Sequence, residues 1–373
     1  MIYFDSAATS IPKKEVLEVY QKVANNIWYN PSSMHKLGII AKNYIDKASE
    51  TILHTLDMKE KKIYYTSGAT EANNMAIYGI CNKYIGANKH IITTMIEHPS
   101  VYNVFNDLEK KGFRVTYLRC VGGVVDIKEL KEAITKDTIL ISIMWVNNII
   151  GSIQPLDEII QTIRCLSHAK IHVDAVQGIG KMPFNFNQND VDMLTLTSHK
   201  IGGLKGTGLL IANKNICFES IIKGGHQQEN MRAGTMDVAG IVALSKAISL
   251  AYRDLNYHYY YVKELNSYFK KQLENFSFIK INEGKTVHSP YVLSISFEHV
   301  KGETAMHYLE QLDIYVGIGS ACNERQKTLE RAIMSITLDE TRAINMIRIS
   351  LSEQNTREEI DQLINGLKQL ERI

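Results

Sequence analysis

DMLTLTSHKIGGLKGTGLLIA, residues 192–212, is the stretch that decides the fold of this 373-residue chain. Its apolar residues and threonines, on both sides of a glycine-rich turn, predict two buried strands. The glycines allow the backbone to turn sharply and to approach a ligand closely. Lys200 therefore falls in a tight loop at a strand end, where partial burial would lower the pKa of its amine and make it a nucleophile toward a carbonyl. A single lysine in such a turn is more often a surface residue, so its interpretation depends on the rest of the chain.

The composition is that of an ordinary globular protein, with 45% hydrophobic and 22% charged residues. The length exceeds what one hydrophobic core usually organises, so two domains are expected. A formal net charge of +2 gives no reason to expect binding to nucleic acid or to an anionic membrane. The amino terminus, MIYFDSAAT, lacks a basic segment followed by an apolar run, and no long apolar stretch occurs later, so we expect a cytoplasmic protein.

The five cysteines are widely spaced, and none belongs to a Cys-x-x-Cys motif. This arrangement fits neither a disulfide framework nor a zinc ribbon, and no metal is expected. In isolation, a cysteine that follows small residues, as Cys322 does in GSAC (319–322), is most often a small buried hydrophobic residue.

Helix and strand patterns alternate along the chain, which predicts an α/β protein. Thr70 opens a helix after a short strand, where free N–H groups could bind an anion or the hydroxyls could simply cap the helix. His98 follows the next strand and could act as acid or base, stack on a planar ring, or cap the following helix. Asn147 and Asn148 follow a β-branched strand, either as a turn or as a polar clamp on a ligand.

Asp174 closes another apolar strand, KIHVD, where a buried carboxylate is costly unless it meets a cation. In open α/β sheets the ligand binds outside the carboxyl ends of the strands, which is where Asp174, Lys200, the amides and the Thr70 turn fall. A lysine, an acid and an anion site are the groups required by a cofactor that carries an aldehyde, a pyridine nitrogen and a phosphate. The sequence therefore predicts a site for pyridoxal 5′-phosphate (PLP).

Six motifs occur in a fixed order: YFDSAAT (3–9), TSGATEANN (66–74), EH (97–98), VNN (146–148), HVDAVQ (172–177) and SHK (198–200). Together they resemble the cysteine desulfurases of the NifS/IscS type, which are class V, fold-type I PLP enzymes, and the resemblance runs from Tyr3 to Arg348. It implies an α/β fold of the PLP-dependent transferase fold-type I, with a mostly parallel central sheet. We expect a large PLP-binding domain at residues 12–254 and a small domain formed by residues 1–11 and 255–373, which carries the catalytic cysteine loop.

The resemblance implies a role for each residue that would hold the cofactor ring. Lys200 would form the Schiff base with PLP, and His98 would stack on the pyridine ring. Asp174 would keep the ring nitrogen protonated, which makes the ring an electron sink. Gln177 would bond the phenolic oxygen.

The resemblance also implies a phosphate site made of Ala69, Thr70, Ser198 and His199. Because side chains alternate along a strand, we expect only one of Thr197 and Ser198 to face the cofactor. Thr235, in the motif RAGT (232–235), would reach the phosphate bound by the partner subunit. This last assignment implies a homodimer.

The chemistry that the resemblance implies depends on Cys322 as nucleophile and on Arg348, whose guanidinium would bind the substrate carboxylate through two hydrogen bonds. Asn148 would lie near the substrate, and His98 would move a proton at the sulfur. The implied reaction converts L-cysteine to L-alanine and leaves a persulfide on Cys322. An acceptor protein, either a scaffold for iron–sulfur cluster assembly or a tRNA-thiolation enzyme, would then receive the sulfur. The other four cysteines are interpreted as structural.

Three places depart from the family pattern. Ile149 replaces the acid that usually follows the two amides, and Leu204 replaces the proline of Gly-Pro-Lys-Gly. Residues 323–327, NERQK, are more charged than the usual loop, which leaves the acceptor open. The alternatives are another PLP reaction such as selenocysteine lysis or transamination, a non-catalytic protein that docks a sulfur-transfer partner, and a phosphate-binding protein of unrelated fold.

Overall fold

The structure, a computed structural model, describes residues 1–319 and 330–371. In these ranges the strands are β1 (Ile2–Phe4), β2 (Lys61–Thr66), β3 (His90–Thr94), β4 (Arg114–Leu118), β5 (Thr138–Met144), β6 (Lys170–Asp174), β7 (Met193–Thr197), β8 (Gly208–Asn213), β9 (Ile279–Ile281), β10 (Val292–Phe297), β11 (Ile314–Val316) and β12 (Met346–Ser350). The α-helices are α1 (Lys14–Asn26), α2 (Lys36–Thr55), α3 (Ala69–Cys81), α4 (Pro99–Lys110), α5 (Ile127–Ala133), α6 (Leu156–Leu166), α7 (Val238–Arg253), α8 (Leu255–Leu273), α9 (Gly302–Gln311), α10 (Arg331–Ile336), α11 (Glu340–Ile344) and α12 (Arg357–Leu370).

Seven strands form the central sheet, in the order β2-β8-β7-β6-β5-β3-β4. The strands from β7 to β4 in this order run parallel to one another. β8 pairs antiparallel with β7 on one side and with β2 on the other. The predicted α/β class with a mostly parallel central sheet is therefore confirmed.

The central strands are apolar and β-branched because both of their faces are buried. Every residue of β7, MLTLT, is buried, and so is every residue of β5, TILISIM, except Ile139. The few polar side chains between them bond to one another across the strands. His172 of β6 lies 2.8 Å from the Ser142 hydroxyl and 3.0 Å from the Thr195 hydroxyl. Burial lowers the pKa of His172 to about 3, so this ring is neutral at physiological pH.

The stretch 192–212 folds as an antiparallel hairpin, in which Thr197 pairs with Gly208 across the turn. Gly208 is required by a close approach rather than by its backbone angles. A Cβ atom at this position would lie 2.7 Å from the backbone of Gly68, which immediately precedes α3. The absence of a side chain at Gly208 therefore brings the hairpin, and Lys200 with it, next to the first turn of α3.

Two smaller sheets hold the amino-terminal segment against the carboxyl-terminal part of the chain. β12, β10 and β9 form an antiparallel sheet, and β1 pairs in parallel with β11. A separate hydrophobic core packs on these strands, with Phe4, Phe269 and Phe297 among its fully buried members. Asp5 forms a single bridge to Ser350 at the end of β12, so the chain enters the region of the central sheet directly after β1. None of the helices in the described ranges has the length and apolar character needed to cross a membrane.

Candidate active site

The predicted site residues converge on a cavity of about 610 Å³ at the carboxyl ends of β5, β6 and β7. Its walls come from both parts of the chain, since Asp5 and Gly319 lie there together with residues of the central sheet. The sequence-predicted residues that line it are Ala69, Thr70, His98, Asn148, Asp174, Gln177, His199, Lys200 and Arg348.

Lys200 lies in the turn after β7, and its amine donates hydrogen bonds to the backbone carbonyls of Ala7 and Ala8, at 2.5 and 2.7 Å. Burial, reinforced by the positive charge of Arg348, lowers the pKa of this amine to about 8. The two carbonyls accept from the amine whether or not it carries the third proton. The structure therefore holds in the cavity a lysine whose neutral, nucleophilic form is accessible near physiological pH.

Asp174 ends β6 at the cavity wall, and its side chain is almost fully buried. Its Oδ2 accepts from the Asn73 amide at 2.8 Å and its Oδ1 from the backbone N–H of Val176 at 3.1 Å. No lysine, arginine or histidine among residues 1–319 and 330–371 forms an ion pair with it. A buried carboxylate that is held by neutral donors and faces a cavity is a site for a cationic group of a ligand.

His98 caps α4 and is connected to Asp174 through two neutral side chains. Its Nδ1 accepts from the backbone N–H of Ser100 at 3.2 Å and lies 2.8 Å from the Ser100 hydroxyl. That hydroxyl also accepts from the Asn73 amide at 2.8 Å. Because Nδ1 acts as an acceptor, the neutral ring carries its proton on Nε2. Burial lowers the pKa of His98; the Asp174 charge opposes this change, whereas the charges of Lys200, Arg331 and Arg348 reinforce it, so the ring is neutral near pH 7.

The amino terminus of α3 lies at one end of the cavity. Gly68, Ala69 and Thr70 line the wall there, where backbone N–H groups and the helix dipole favour a negative charge. His199 also lines the wall, and burial lowers its pKa to about 4, so it offers a neutral ring.

Thr197 and Ser198 lie differently at this end of the cavity, and the assignment of Ser198 to the phosphate site stays a prediction. Thr197 lines the cavity, whereas Ser198 does not. The Ser198 hydroxyl points toward the glycine turn, where a Cβ atom at Gly203 would lie 1.9 Å from it. Thr197 is the last residue of β7 and Ser198 begins the turn that follows, so their side chains point in different directions.

Arg348 lies on β12, with its side chain buried and its guanidinium at the cavity wall. One Nη donates to Asp5 Oδ1 at 2.6 Å, and the other donates to the backbone carbonyl of Asn148 at 3.1 Å. Its Nε has no hydrogen-bond partner in the described part of the chain, although it is buried. A buried guanidinium with one unsatisfied N–H fits a carboxylate ligand, because carboxylate oxygens accept such bonds in pairs.

The two neighbouring amides have different functions. Asn147 is buried and structural, since its side chain accepts from the backbone N–H groups of Ile149 and Ile150, each at 2.9 Å. Asn148 lines the cavity, as the sequence predicts. Ile149, which replaces the family acid, packs in the main hydrophobic core and leaves no buried charge there.

Four residues near the site were missed by sequence reasoning. Asn73 and Ser100 connect His98 to Asp174, Asp5 pairs with Arg348, and Glu97, which precedes His98, is buried. Asn73, Glu97 and Asp5 fall within the motifs quoted above, and their place in those motifs is what the sequence offers to mark them as site residues. Their partners are distant in sequence, so the contacts themselves could not be found.

Two predicted residues do not contribute to this cavity in the described structure. Thr235 is exposed and is not part of the wall, so its assignment to the partner subunit stays a prediction. Cys322 lies outside the described residues. Among the other cysteines, Cys81 and Cys120 are buried, whereas Cys165 and Cys217 are exposed.

The residues present fit PLP. The cavity combines a lysine amine with a lowered pKa, a buried carboxylate without a cationic partner among the residues that the structure describes, and a helix amino terminus. These groups match the aldehyde, the pyridine nitrogen and the phosphate of the cofactor. The fold and this site define a PLP-dependent transferase of fold-type I.

Comparison with known proteins gives the family. The Aminotransferase class-V model matches residues 2–363. A cysteine desulfurase IscS of Dictyoglomus turgidum is 36% identical over 371 residues, which cover 99% of this chain and 94% of the relative. A solved NifS-like protein superposes with a TM-score of 0.92 at 32% identity, covering 100% of this chain and 99% of that one. SspA, solved in complex with cysteine, gives a TM-score of 0.82 at 31% identity, covering 95% of this chain and 100% of that one. The chain belongs to the class-V aminotransferase family, in its branch of PLP-dependent cysteine desulfurases of the NifS/IscS type.

Proposed function

We propose that this protein removes sulfur from L-cysteine, releases L-alanine, and carries the sulfur as a persulfide on Cys322 before an acceptor protein takes it. The observation that supports this most is the position of the buried Arg348 guanidinium, which shares one cavity with the Lys200 amine and the Asp174 carboxylate. A cationic fork next to a PLP site selects an amino-acid carboxylate. Cys322 follows three positions after Gly319, which lines the same cavity.

When bound, PLP supplies an aldehyde for the substrate amine and a ring that accepts electrons from the substrate carbon. Lys200, Asp174, Gln177 and the first turn of α3 would hold it. Arg348 binds the cysteine carboxylate and thereby fixes the orientation of Cα. The neutral Lys200 amine removes the proton from Cα. His98 acts as the acid at the substrate sulfur, through the proton on its Nε2. The Cys322 thiolate attacks that sulfur, so the sulfur–carbon bond breaks and L-cysteine plus the Cys322 thiol become L-alanine plus the Cys322 persulfide.

The test is release of alanine and sulfide from L-cysteine in the presence of a thiol reductant. We expect Lys200→Ala to form neither product, and Cys322→Ala to lose sulfide while it still binds L-cysteine. Cys217→Ala serves as the control because Cys217 is an exposed free thiol that does not line the cavity; this variant should behave as wild type. Full sulfide release by Cys322→Ala would refute Cys322 as the sulfur carrier.

We further infer that the active form is a homodimer in which Thr235 completes the phosphate site of the partner subunit. The support is that Thr235 is exposed on its own subunit and does not belong to the wall of that subunit's cavity. Coexpression of Lys200→Ala with Thr235→Ala subunits tests this. If Thr235 acts across the interface, one site of each mixed dimer has both residues intact and activity returns. If Thr235 acts within its own subunit, no site is intact and the mixture stays as impaired as its parents.

The acceptor would be a protein of iron–sulfur cluster assembly or of tRNA thiolation, and transfer of radiolabelled sulfur from the Cys322 persulfide to purified candidates distinguishes the two.

A further inference from the structure

Lys181 is an almost fully buried lysine behind the cavity wall, in the turn after β6. Burial lowers the pKa of its amine to about 7. The charged groups that act on it are Lys200 and Arg348, which disfavour its protonated form, and Glu353, which favours it. Glu353 itself is paired with Lys13 at 3.0 Å, so Lys181 has no carboxylate of its own among the described residues. A buried amine without an ion-pair partner destabilises a fold unless its hydrogen bonds have another use.

The amine of Lys181 donates a 2.7 Å hydrogen bond to Oε1 of Gln177. This contact is buried, and it lies on the side of the Gln177 amide that faces away from Ala7. The opposite atom, Nε2, donates to the Ala7 carbonyl at 3.0 Å. The two contacts are complementary, since an ammonium or amine N–H needs an acceptor and a backbone carbonyl needs a donor.

The orientation of the Gln177 amide has a chemical consequence because its oxygen and nitrogen are nearly equal in size. Without a partner for Oε1, the amide could rotate by half a turn and present its oxygen instead of its second N–H to the cavity. Gln177 lines the cavity next to Lys200, whose amine shares the Ala7 carbonyl with Gln177. The side chain that fixes this amide therefore determines whether the wall offers a donor or an acceptor at that position.

We propose that Lys181 is a positioning residue that holds the Gln177 amide with its N–H directed at the phenolic oxygen of PLP. This inference rests on the proposed function, in which Gln177 helps to hold PLP, and on the bond to the phenolic oxygen that the family resemblance implies for Gln177. With PLP bound, its phenolic oxygen would share a proton with the nitrogen of Lys200. An N–H donor from Gln177 stabilises that oxygen without the proton, so the donor lowers the pKa of the shared proton and loss of the donor raises it.

The experiment is a pH titration of the visible absorbance of the PLP-loaded enzyme, for wild type and Lys181→Met. Methionine retains the length of the side chain and removes the donor. We expect the titration midpoint of Lys181→Met to rise by about half to one pH unit, the size of one lost hydrogen bond. The dissociation constant for PLP, measured by fluorescence on the apoenzyme, should also increase several-fold.

Lys61→Met is the matched control. Lys61 is also buried, and its amine donates to the Asn189 carbonyl at 2.8 Å, to the Asn213 side chain at 2.7 Å and to the Val191 carbonyl. It lies on β2 and takes no part in the cavity wall. Its substitution should lower thermal stability and leave the PLP titration midpoint unchanged.

A double-mutant comparison separates action through Gln177 from a direct charge effect. If Lys181 acts through the amide, Gln177→Ala moves the midpoint upward, and adding Lys181→Met to Gln177→Ala moves it no further. Additive shifts would overturn the proposal in favour of a simple loss of positive charge. A midpoint identical to wild type in Lys181→Met would also overturn it.

Failure of this proposal about Lys181 can be distinguished from failure of the proposed function. A wild-type protein that forms no visible PLP absorbance would refute the PLP assignment, whereas a normal wild-type titration that Lys181→Met does not change would refute only the role of Lys181. If Lys181→Met does not yield folded protein, Lys181→Gln, which removes the charge and shortens the reach, is titrated with the same expectation.

Discussion

Replacement of Glu97 by glutamine should stabilise the protein at alkaline pH and have little effect at acidic pH. Glu97 immediately precedes His98, and its side chain is buried. Oε1 accepts from the Met144 backbone N–H at 2.9 Å and from the Thr94 hydroxyl at 2.8 Å. Oε2 has no hydrogen-bond partner in residues 1–319 and 330–371. Burial raises the pKa of Glu97 to about 8, against the two donors, so the folded protein keeps this carboxyl protonated at neutral pH.

The sign and size of the effect follow from proton linkage. An unfolded glutamate releases its proton near pH 4.5, the ordinary value, whereas folded Glu97 releases it near pH 8. Between these values the folded state holds one extra proton, so the free energy of unfolding falls as pH rises, by about 1.4 kcal/mol per pH unit. From pH 5 to pH 8 the loss amounts to about 3.5 kcal/mol. Glutamine has nearly the same shape and does not titrate, so the free energy of unfolding of Glu97→Gln does not fall in this way as pH rises.

The assay is the thermal midpoint of the PLP-saturated enzyme and of Glu97→Gln at several pH values from 5 to 8. For a chain of 373 residues the difference between the two midpoints should widen by about 4 °C over this range, from the usual entropy of unfolding per residue. Glu60→Gln is the control, because Glu60 is an exposed glutamate in a surface ion pair with Lys214. A constant difference between Glu97→Gln and wild type across pH 5 to 8 would show that Glu97 is ionised in the folded state and would contradict the reasoning.

Three further predictions test the geometry of the site and the packing that supports it. Arg348→Lys keeps the charge and loses the planar fork, so we expect KM for L-cysteine to rise about 10- to 100-fold with a smaller change in kcat, measured by steady-state kinetics; an unchanged KM would place the substrate carboxylate elsewhere. Thr197→Ala should weaken PLP binding while Ser198→Ala does not, because only Thr197 lines the cavity; the reverse order in a PLP titration would contradict that placement. Gly178→Ala would put a Cβ atom 2.1 Å from the buried Trp145 ring, and we expect a loss of at least about 1–3 kcal/mol in stability from overpacking, detected as a lower thermal midpoint.

The sequence predicted where the strands end. It predicted less well which side chains contact one another at those strand ends. Asp174 and Lys200 were found because each follows a run of buried, β-branched residues, and parallel strands present their carboxyl ends at one edge of a sheet. Thr70 and His98 were found in the same way, at the starts of the helices that follow two other strands.

What the sequence could not provide is the direction of individual side chains and the pairing of distant residues. Sequence patterns could not choose between Thr197 and Ser198, because a shift of one residue along a strand exchanges the two faces and such patterns do not locate the last strand residue that accurately. The contact of Asp5 with Arg348 joins residues 343 positions apart. Such a contact depends on how the small sheets pack beside the central sheet, which hydrophobic periodicity does not encode.

The amino-terminal segment explains why the site needs both parts of the fold. β1 fixes this segment against β11, and Ser350 of β12 accepts from the Ala7 backbone N–H at 2.9 Å. The Ala7 carbonyl in turn accepts from both Lys200 and Gln177, and Asp5 pairs with Arg348. One short stretch of backbone therefore positions Lys200, Gln177 and Arg348, the residues proposed to act on the cofactor and the substrate. A shift of the small sheets relative to the central sheet would move all three groups together, so substrate affinity and cofactor chemistry should respond jointly to substitutions that loosen β1.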